Sequence, residues 1–260
     1  MPTRDHAPVG SPCWVDLWTS DVEGSRAFYK ELFGWESGEP DPQFGGYFMF
    51  RRDGVDIAGG MGDMGPEMPA DNSWKIYLAT DDVAKTVEEA VTYGGQVLVP
   101  PMAIPEVGIQ AVLADPTGAR LGAWQPKPFP GYTVVLEDGA PSWSELFTRD
   151  FTASADFYRS VFHWEITMVG DTDEFRYGTM GDPMGGENLA GIMDASGFLP
   201  EGVPDHWSIY WEVDDIDASV AKVAALGGSV LDGPQDTPYG RMATVTEPTG
   251  TQFKLRMDNS

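Results

Sequence analysis

The sequence is poor in residues that bind metals or form covalent cross-links. Cys13 is the one cysteine, which excludes an intrachain disulfide and a site with several cysteine ligands. Histidine occurs only three times. No apolar run of about 18 residues exists, and the first ten residues lack the apolar stretch of a secretory signal. These absences predict a protein of the reducing cytoplasm with no membrane partner.

Basic residues are also scarce. The chain has 16 lysines and arginines against 41 acidic residues, which gives a formal net charge of −25. Such a chain repels nucleic acid and anionic lipid, so we expect neither as a partner. Apolar residues make up 42% of the 260 residues, which suffices for one large domain or two ordinary ones.

The sequence is rich in internal repetition. The stretch PCWVDLWTSD at 12–21 returns as PSWSELFTRD at 141–150. Likewise, WKIYLATDD at 74–82 returns as WSIYWEVDD at 207–215, and DPTGARLGAW at 115–124 returns as EPTGTQFKLR at 247–256. Matches in the same order indicate a tandem duplication. We therefore expect a first domain at 10–126, a linker at 127–139 and a second domain at 140–258.

Each half divides again at a loop rich in proline and glycine, 61–72 in the first half and 194–206 in the second. Within each quarter a strand pattern is followed by an amphipathic helix pattern and then by further strands. We expect the first helix to begin at the capping box Ser20-x-x-Glu23 and to end at Gly34. The pair Asp53-Gly54 is typical of a type I′ hairpin turn. The pattern predicts an α+β fold of four βαβββ units.

Paired βαβββ units, with FY…LFGW at the helix end and DPTG before the last strand, resemble the vicinal oxygen chelate superfamily. That superfamily includes glyoxalase I, fosfomycin and bleomycin resistance proteins and extradiol dioxygenases. The tandem order resembles a subgroup with the mycobacterial 27 kDa antigen and hydroxylase-like proteins of actinobacterial polyketide pathways. The resemblance covers nearly all of residues 12–257. It implies two cupped mixed sheets with helices outside and a ligand inside, and we expect each half to pair its own units.

The resemblance also locates the three strand positions that carry the family's usual metal ligands. Here these positions hold Trp14, Lys75 and Gly122 in the first half, and Trp143, Ser208 and Lys254 in the second. Divalent metals prefer imidazole and carboxylate ligands, whereas tryptophan does not bind them and a lysine ammonium repels them. We therefore expect no metal ion and no cofactor in either half.

Side chains alternate along a strand, so aromatic rings and acids share one face of each half's first strand. Such a face suits a flat organic ligand. The candidate ligand-binding residues are Trp14, Trp18, Tyr77, Trp124, Trp143, Phe147, Tyr210 and Arg256. The candidate catalytic residues are Asp16, Lys75, Glu145 and Lys254. We expect each of these acids to pair with the lysine of its own half, which would lower the carboxyl pKa.

Three functions remain open. A metal-free binding protein would sequester or present an aromatic natural product. A tailoring enzyme would act on a similar ligand, with Asp16 or Glu145 as base and a lysine stabilising an enolate or phenolate. A metal-dependent glyoxalase, dioxygenase or hydroxylase is the alternative. Either a monomer or a homodimer is compatible with each function. We expect the first half to be the better aromatic site, because Gly122 leaves space where the second half carries Lys254.

Overall fold

The structure is a computed structural model that describes residues 4–65, 69–181 and 189–259. Two eight-stranded mixed sheets form the fold. Every strand of the first sheet comes from residues 12–126 and every strand of the second from residues 141–257. Each half therefore pairs its own two units, as the sequence predicts. Residues 66–68 of the predicted loop 61–72 lie outside the described residues.

The elements follow the predicted strand–helix–strands order four times. The first half contains β1 (Pro12–Trp18), α1 (Val22–Phe33), β2 (Glu36–Ser37), β3 (Phe48–Arg52), β4 (Val55–Met61), β5 (Ser73–Ala79), α2 (Val83–Thr92), β6 (Gln96–Ile104), β7 (Gly108–Ala114) and β8 (Arg120–Pro126). The second half contains β9 (Pro141–Thr148), α3 (Phe151–Phe162), β10 (Ile166–Asp171), β11 (Arg176–Met180), β12 (Ala190–Asp194), β13 (His206–Glu212), α4 (Ile216–Ala225), β14 (Ser229–Thr237), β15 (Gly240–Thr246) and β16 (Gln252–Met257). The predicted α+β fold of four βαβββ units is confirmed.

The first strands of the two units lie side by side in the middle of each sheet. The strand order is β2-β3-β4-β1-β5-β8-β7-β6 in the first sheet and β10-β11-β12-β9-β13-β16-β15-β14 in the second. β1 runs antiparallel to β5, with Trp14 opposite Tyr77 and Asp16 opposite Lys75. The duplicated sequence therefore places the same positions at the centre of both sheets.

The helix caps correct one local prediction. The side chain of Asp21, not Ser20, caps α1 by accepting a hydrogen bond from the amide of Gly24 at 3.0 Å. Ser20 is exposed, and its own amide donates to the side chain of Asn72. An aspartate carboxylate can accept hydrogen bonds from the same free amides of the first helical turn, and its negative charge interacts favourably with the positive end of the helix dipole. Gly34 ends the helix with a φ of 73°, as expected.

The helix-bearing sides of the two sheets meet in an aromatic core. Trp74 of β5 and Trp211 of β13 pack with ring centroids 5.2 Å apart. Two hydrogen bonds then join a helix of each half to the turn before the last strand of the other half. The Tyr158 hydroxyl of α3 donates to Asp115 at 3.1 Å, and the Ser25 hydroxyl of α1 donates to Glu247 at 3.1 Å. The halves are therefore interlocked reciprocally.

A membrane-spanning segment is absent from the described part of the chain, because none of its helices combines the necessary length and apolar character.

Candidate functional site

The first cup is the face of the first sheet away from the helices. It carries Trp14, Asp16, Trp18, Lys75, Tyr77, Gly122 and Trp124. The register places Trp14 opposite Tyr77 and Tyr77 opposite Gly122 on three adjacent strands, β1, β5 and β8. The structure therefore brings together the residues that the sequence predicted to share one face.

A buried carboxyl lies at the centre of the first cup. Asp16 Oδ1 accepts a hydrogen bond from the Trp14 indole at 2.9 Å and another from the Tyr47 hydroxyl at 2.8 Å. Burial raises the pKa of Asp16 above its ordinary value, although hydrogen bonds from Tyr47, Tyr77 and Trp14 oppose this shift. The predicted lowering of this pKa is wrong, because burial outweighs the hydrogen bonds from these neutral donors and no cation of the described residues is among the groups that shift it.

Two glycines make room for the tyrosines of this cluster. Gly59 lies opposite Asp16, and a Cβ atom on Gly59 would come within 1.8 Å of the Tyr47 hydroxyl. At Gly122 a Cβ atom would come within 2.0 Å of Tyr77 Cδ1. The Tyr77 ring therefore occupies the space beside Gly122. The prediction that Gly122 leaves that space to a ligand is wrong.

Lys75 does not form the predicted ion pair with Asp16. Its ammonium instead pairs with Asp71, which lies four residues earlier in the loop before β5. The same nitrogen lies 5.5 Å from the ring centroid of Trp18, a cation–π contact. Burial lowers the pKa of Lys75, and the hydrogen bond to Asp71 opposes this shift. The charge of Lys75 is therefore already compensated within the first half.

The linker covers two tryptophans of the first cup. The Phe129 ring meets the Trp14 ring edge-on, with centroids 4.8 Å apart, and the Trp124 indole donates to the Phe129 carbonyl at 3.1 Å. The Tyr132 ring stacks on Trp14 with centroids 6.4 Å apart, and the Tyr132 amide donates to the Cys13 carbonyl. Only 4% of Trp14 is exposed. Much of the aromatic surface of this cup is therefore already used inside the protein.

The second cup is the equivalent face of the second sheet. It carries Trp143, Glu145, Phe147, Ser208, Tyr210, Lys254 and Arg256. The Tyr210 hydroxyl donates to Glu145, and the Trp143 indole donates to the Tyr177 hydroxyl at 3.0 Å. Gly191 lies opposite Glu145 and leaves room for the hydroxyl of Tyr177, as Gly59 does for Tyr47. A tryptophan, an acid, two tyrosines and a glycine are thus repeated in both cups.

Burial dominates the behaviour of Glu145 as well. It raises the pKa of this carboxyl, whereas Tyr210, the charge of Lys254 and Tyr177 act in the opposite direction. The prediction of a lowered pKa is therefore wrong in the second cup too. A carboxyl whose pKa is raised can both donate and accept a proton closer to neutral pH than an ordinary glutamate.

Lys254 forms no ion pair with Glu145, contrary to the prediction. Its ammonium donates to the Thr244 hydroxyl at 3.1 Å. It also lies 5.0 Å from the ring centroid of Phe147 and 5.4 Å from that of Tyr210. Burial lowers the pKa of Lys254. The lysine is therefore held between two aromatic rings and a neutral hydroxyl.

Arg256 is engaged at the end of the second cup. Its guanidinium pairs with Glu212 at 2.9 Å and donates to the carbonyl of Tyr239 at 2.8 Å. It lines a surface groove of about 450 Å³ together with Asp214 and Asp258. The charge of Arg256 is therefore balanced by carboxylates of the protein, so its guanidinium is less able to attract an anionic ligand.

The rim of the second cup is aromatic, and its Trp143 is less buried than the matching Trp14 of the first cup. The Phe147 ring stacks on the His206 ring at 5.5 Å and meets the Phe198 ring edge-on at 6.3 Å. Phe198 is 58% exposed. Trp143 is only half-buried, and within the described ranges no aromatic ring stacks on it or meets it edge-on, although its indole is bonded to the Tyr177 hydroxyl. The two cups therefore differ in how far this tryptophan is covered.

The donor atoms of both cups do not suit a divalent metal ion. The positions that the family resemblance assigns to ligands carry indole, ammonium and hydroxyl groups, or no side chain at all. Among the described residues, no cluster of three or more histidines, cysteines, aspartates or glutamates has the geometry of a metal site. Divalent first-row metals need several such ligands.

Sequence reasoning missed Tyr47, Tyr177, Asp71 and Phe129. The two tyrosines lie 130 residues apart, while the glycines that admit them, at 59 and 191, lie 132 apart. An extension of the repeat alignment through the hairpin would have paired these positions. No comparable signal points to Phe129, because the composition of the linker predicts a loop but not which part of the protein that loop packs against.

Two family models match the chain. The Glyoxalase/Bleomycin resistance protein/Dioxygenase superfamily matches residues 141–255, and the Glyoxalase-like domain matches residues 14–122. "Putative glyoxylase CFP32" of Mycobacterium tuberculosis is 36% identical over 262 aligned residues, covering 98% of this chain and 97% of that protein. Anthracycline biosynthesis protein DnrV of Streptomyces peucetius is 35% identical, covering 95% of this chain and 92% of that protein.

Solved structures show the same fold at lower identity. The Mn(II)-bound glyoxalase from Novosphingobium aromaticivorans has a TM-score of 0.66 at 16% identity, over 97% of this chain and 83% of that one. The 2,3-dioxygenase LapB from Pseudomonas sp. KL28 has a TM-score of 0.66 at 16% identity, over 98% of this chain and 94% of that one. These likenesses concern the fold alone.

Proposed function

The chain belongs to the Glyoxalase/Bleomycin resistance protein/Dioxygenase superfamily, and we propose that its second cup binds a small, planar aromatic molecule without a metal ion. The observation that carries this proposal is the difference in cover between the matched tryptophans of the two cups. Phe129 and Tyr132 contact Trp14 in the first cup, whereas Trp143 in the second is half-buried. A flat ligand can therefore lie against Trp143 where Phe129 lies against Trp14.

Polar groups beside Trp143 can hold the oxygen atoms of such a ligand. Glu145 has a raised pKa, so it can exchange a proton with a phenol or an enol. Lys254 can stabilise the resulting phenolate or enolate. In a tailoring enzyme these contacts would support turnover, and in a binding protein they would only anchor the ligand. Asp16 and Lys75, which are held by Tyr47 and Asp71, support the structure of the first half in this proposal.

The relative from Streptomyces supports the class of ligand. Its name assigns that protein to the biosynthesis of anthracyclines, which are aromatic polyketides, and its likeness extends over 95% of this chain. We therefore propose an aromatic natural product as the ligand, and antibiotic biosynthesis or resistance as the setting.

A metal-dependent glyoxalase, dioxygenase or hydroxylase is the second candidate. It is favoured by the fold shared with a Mn(II)-bound glyoxalase. The side chains at the ligand positions argue against it, because Trp143 and Lys254 replace groups that would bind the ion. We propose in addition that the protein acts in the cytoplasm, as a monomer or homodimer, with no nucleic acid or membrane as partner.

Calorimetric titration with planar hydroxyanthraquinones tests the proposal. We expect Trp143→Ala to weaken binding about fivefold or more, because stacking contributes on the order of 1 kcal/mol per ring beyond area burial. Trp14→Ala is the matched control and should bind as the wild type does. We also expect less than stoichiometric zinc, nickel, iron or manganese by elemental analysis of the purified protein. Equal losses from both variants, or binding that is abolished by a chelator, would contradict the proposal.

A further inference from the structure

Lys254 differs from the other cations of the two cups in its partners. Lys75 pairs with Asp71, and Arg256 pairs with Glu212. Lys254 contacts the neutral hydroxyl of Thr244, and no carboxylate of the described residues lies within ion-pair distance of its ammonium. It is therefore a cup cation that lacks a directly paired anion among the residues described.

The nearest acid on the same face does not supply that anion. Glu145 accepts the hydroxyl hydrogen of Tyr210 and lies beside that of Tyr177. Burial raises its pKa, which favours the neutral form. Glu145 and Asp232 act on Lys254 only through their charges, Glu145 more strongly, and neither forms an ion pair with its ammonium. The ammonium is thus partly removed from water with no carboxylate of the described residues in ion-pair contact, which is costly unless an opposite charge approaches.

The aromatic rings define where an opposite charge would approach. The Lys254 ammonium lies over Phe147 and Tyr210 with centroid distances of 5.0 and 5.4 Å. Trp143 is opposite Tyr210 in the sheet register and adds a third ring. A ligand stacked on this group of rings would carry its substituents to the edge where the ammonium lies.

We propose that the ligand of the second cup is a planar aromatic anion, whose carboxylate or phenolate is bound by the ammonium of Lys254. This inference rests on the proposed function and specifies its ligand class. It assigns to Lys254 the recognition of negative charge at the position where the family resemblance places a metal ligand.

Two probes of the same shape and different charge separate the charge inference from aromatic binding. Anthraquinone-2-carboxylate and anthraquinone-2-carboxamide would be titrated against the full chain by calorimetry. We expect the wild type to bind the carboxylate about tenfold more tightly than the carboxamide, which corresponds to about 1.4 kcal/mol. Lys254→Met should remove this preference and leave carboxamide binding within about twofold. Lys75→Met, which removes a cation already paired with Asp71, is the matched control and should keep the preference.

A conservative variant guards against a folding defect. Lys254→Arg keeps the charge and should keep most of the preference for the carboxylate, with thermal unfolding confirming that each variant is folded. Equal affinity of the wild type for both probes, or a preference that survives in folded Lys254→Met, would overturn the charge inference while leaving the aromatic site intact. Absence of binding by either probe would overturn the proposed function and this inference with it.

Discussion

One added methyl group at Gly59 should damage the cluster around Asp16. The Cβ of Gly59→Ala would lie 1.8 Å from the Tyr47 hydroxyl and 2.3 Å from Asp16 Oδ1. Contacts between carbon atoms ordinarily lie at about 3.5–4.0 Å. Asp16 is fixed by the strand pairing of β1, so we expect the Tyr47 side chain to move away and to lose its bond to the carboxyl.

The cost follows from the contacts that are lost and crowded. The lost hydrogen bond accounts for about 1 kcal/mol. The crowding that remains in a packed interior accounts for about 1–3 kcal/mol. The sum is about 2–4 kcal/mol, which would lower Tm by roughly 4–16 °C at about 2–4 °C per kcal/mol.

Denaturant titration and thermal unfolding measure this cost. Gly38→Ala is the matched control, because a Cβ there meets no atom within 4 Å and its backbone is not in the left-handed region. In a Tyr47→Ala background, Gly59→Ala should cost distinctly less, because its first steric partner is gone. Our reasoning is refuted if Gly59→Ala is as stable as Gly38→Ala, or if its cost is unchanged in the Tyr47→Ala background.

Two further predictions concern pH and the contact between the halves. Burial raises the pKa of Glu145 in the folded state above its ordinary value, so its proton contributes stability that is complete below that ordinary value and is lost as pH rises through the folded pKa. The unfolding free energy of the wild type should therefore fall with rising pH more steeply than that of Glu145→Gln. An equal slope in both proteins would contradict this prediction. Glu36→Gln, at an exposed position, is the control and should keep the wild-type slope. Tyr158→Phe should lower the unfolding free energy by about 1–3 kcal/mol, because the Asp115 carboxyl and the Trp207 indole lose a shared partner. Denaturant titration measures this loss, and the exposed Tyr93→Phe should cost almost nothing.

The fold was predictable from the sequence because its evidence is periodic. Sequence matches at a nearly constant offset indicate two similar halves, and the strand–helix–strands order on each side of a loop rich in proline and glycine indicates two units per half. Asp53-Gly54 is an equally local signal, and both residues have the positive φ that the turn requires, 50° and 80°. The α1 cap was assigned wrongly because Ser20 and Asp21 are both good caps, and only the coordinates show which side chain accepts the amide.

The sequence predicted which residues share the face of each cup, but not which of their side chains form ion pairs or hydrogen bonds with one another. Alternation along β1 and β9 places aromatics and acids on one face, and the structure brings them together there. Which acid Lys75 meets depends on the loop that carries Asp71, and loop geometry leaves no periodic trace. The pKa directions of Asp16 and Glu145 were wrong because burial dominates both carboxyls, and strand alternation does not show how completely the folded sheet removes a side chain from water.

The reciprocal bonds from Tyr158 to Asp115 and from Ser25 to Glu247 have the form of a two-fold contact between identical subunits. In a dimer of single halves, every substitution would alter both cups together, and neither could specialise. Joining the halves in one polypeptide removes that constraint, because each copy of a position can then change alone. Phe129 of the linker can accordingly cover Trp14 in the first cup, while Lys254 places a cation in the second. Covalent fusion thus converts a symmetric pair into a scaffold on which one half can preserve the architecture while the other acquires a new specificity.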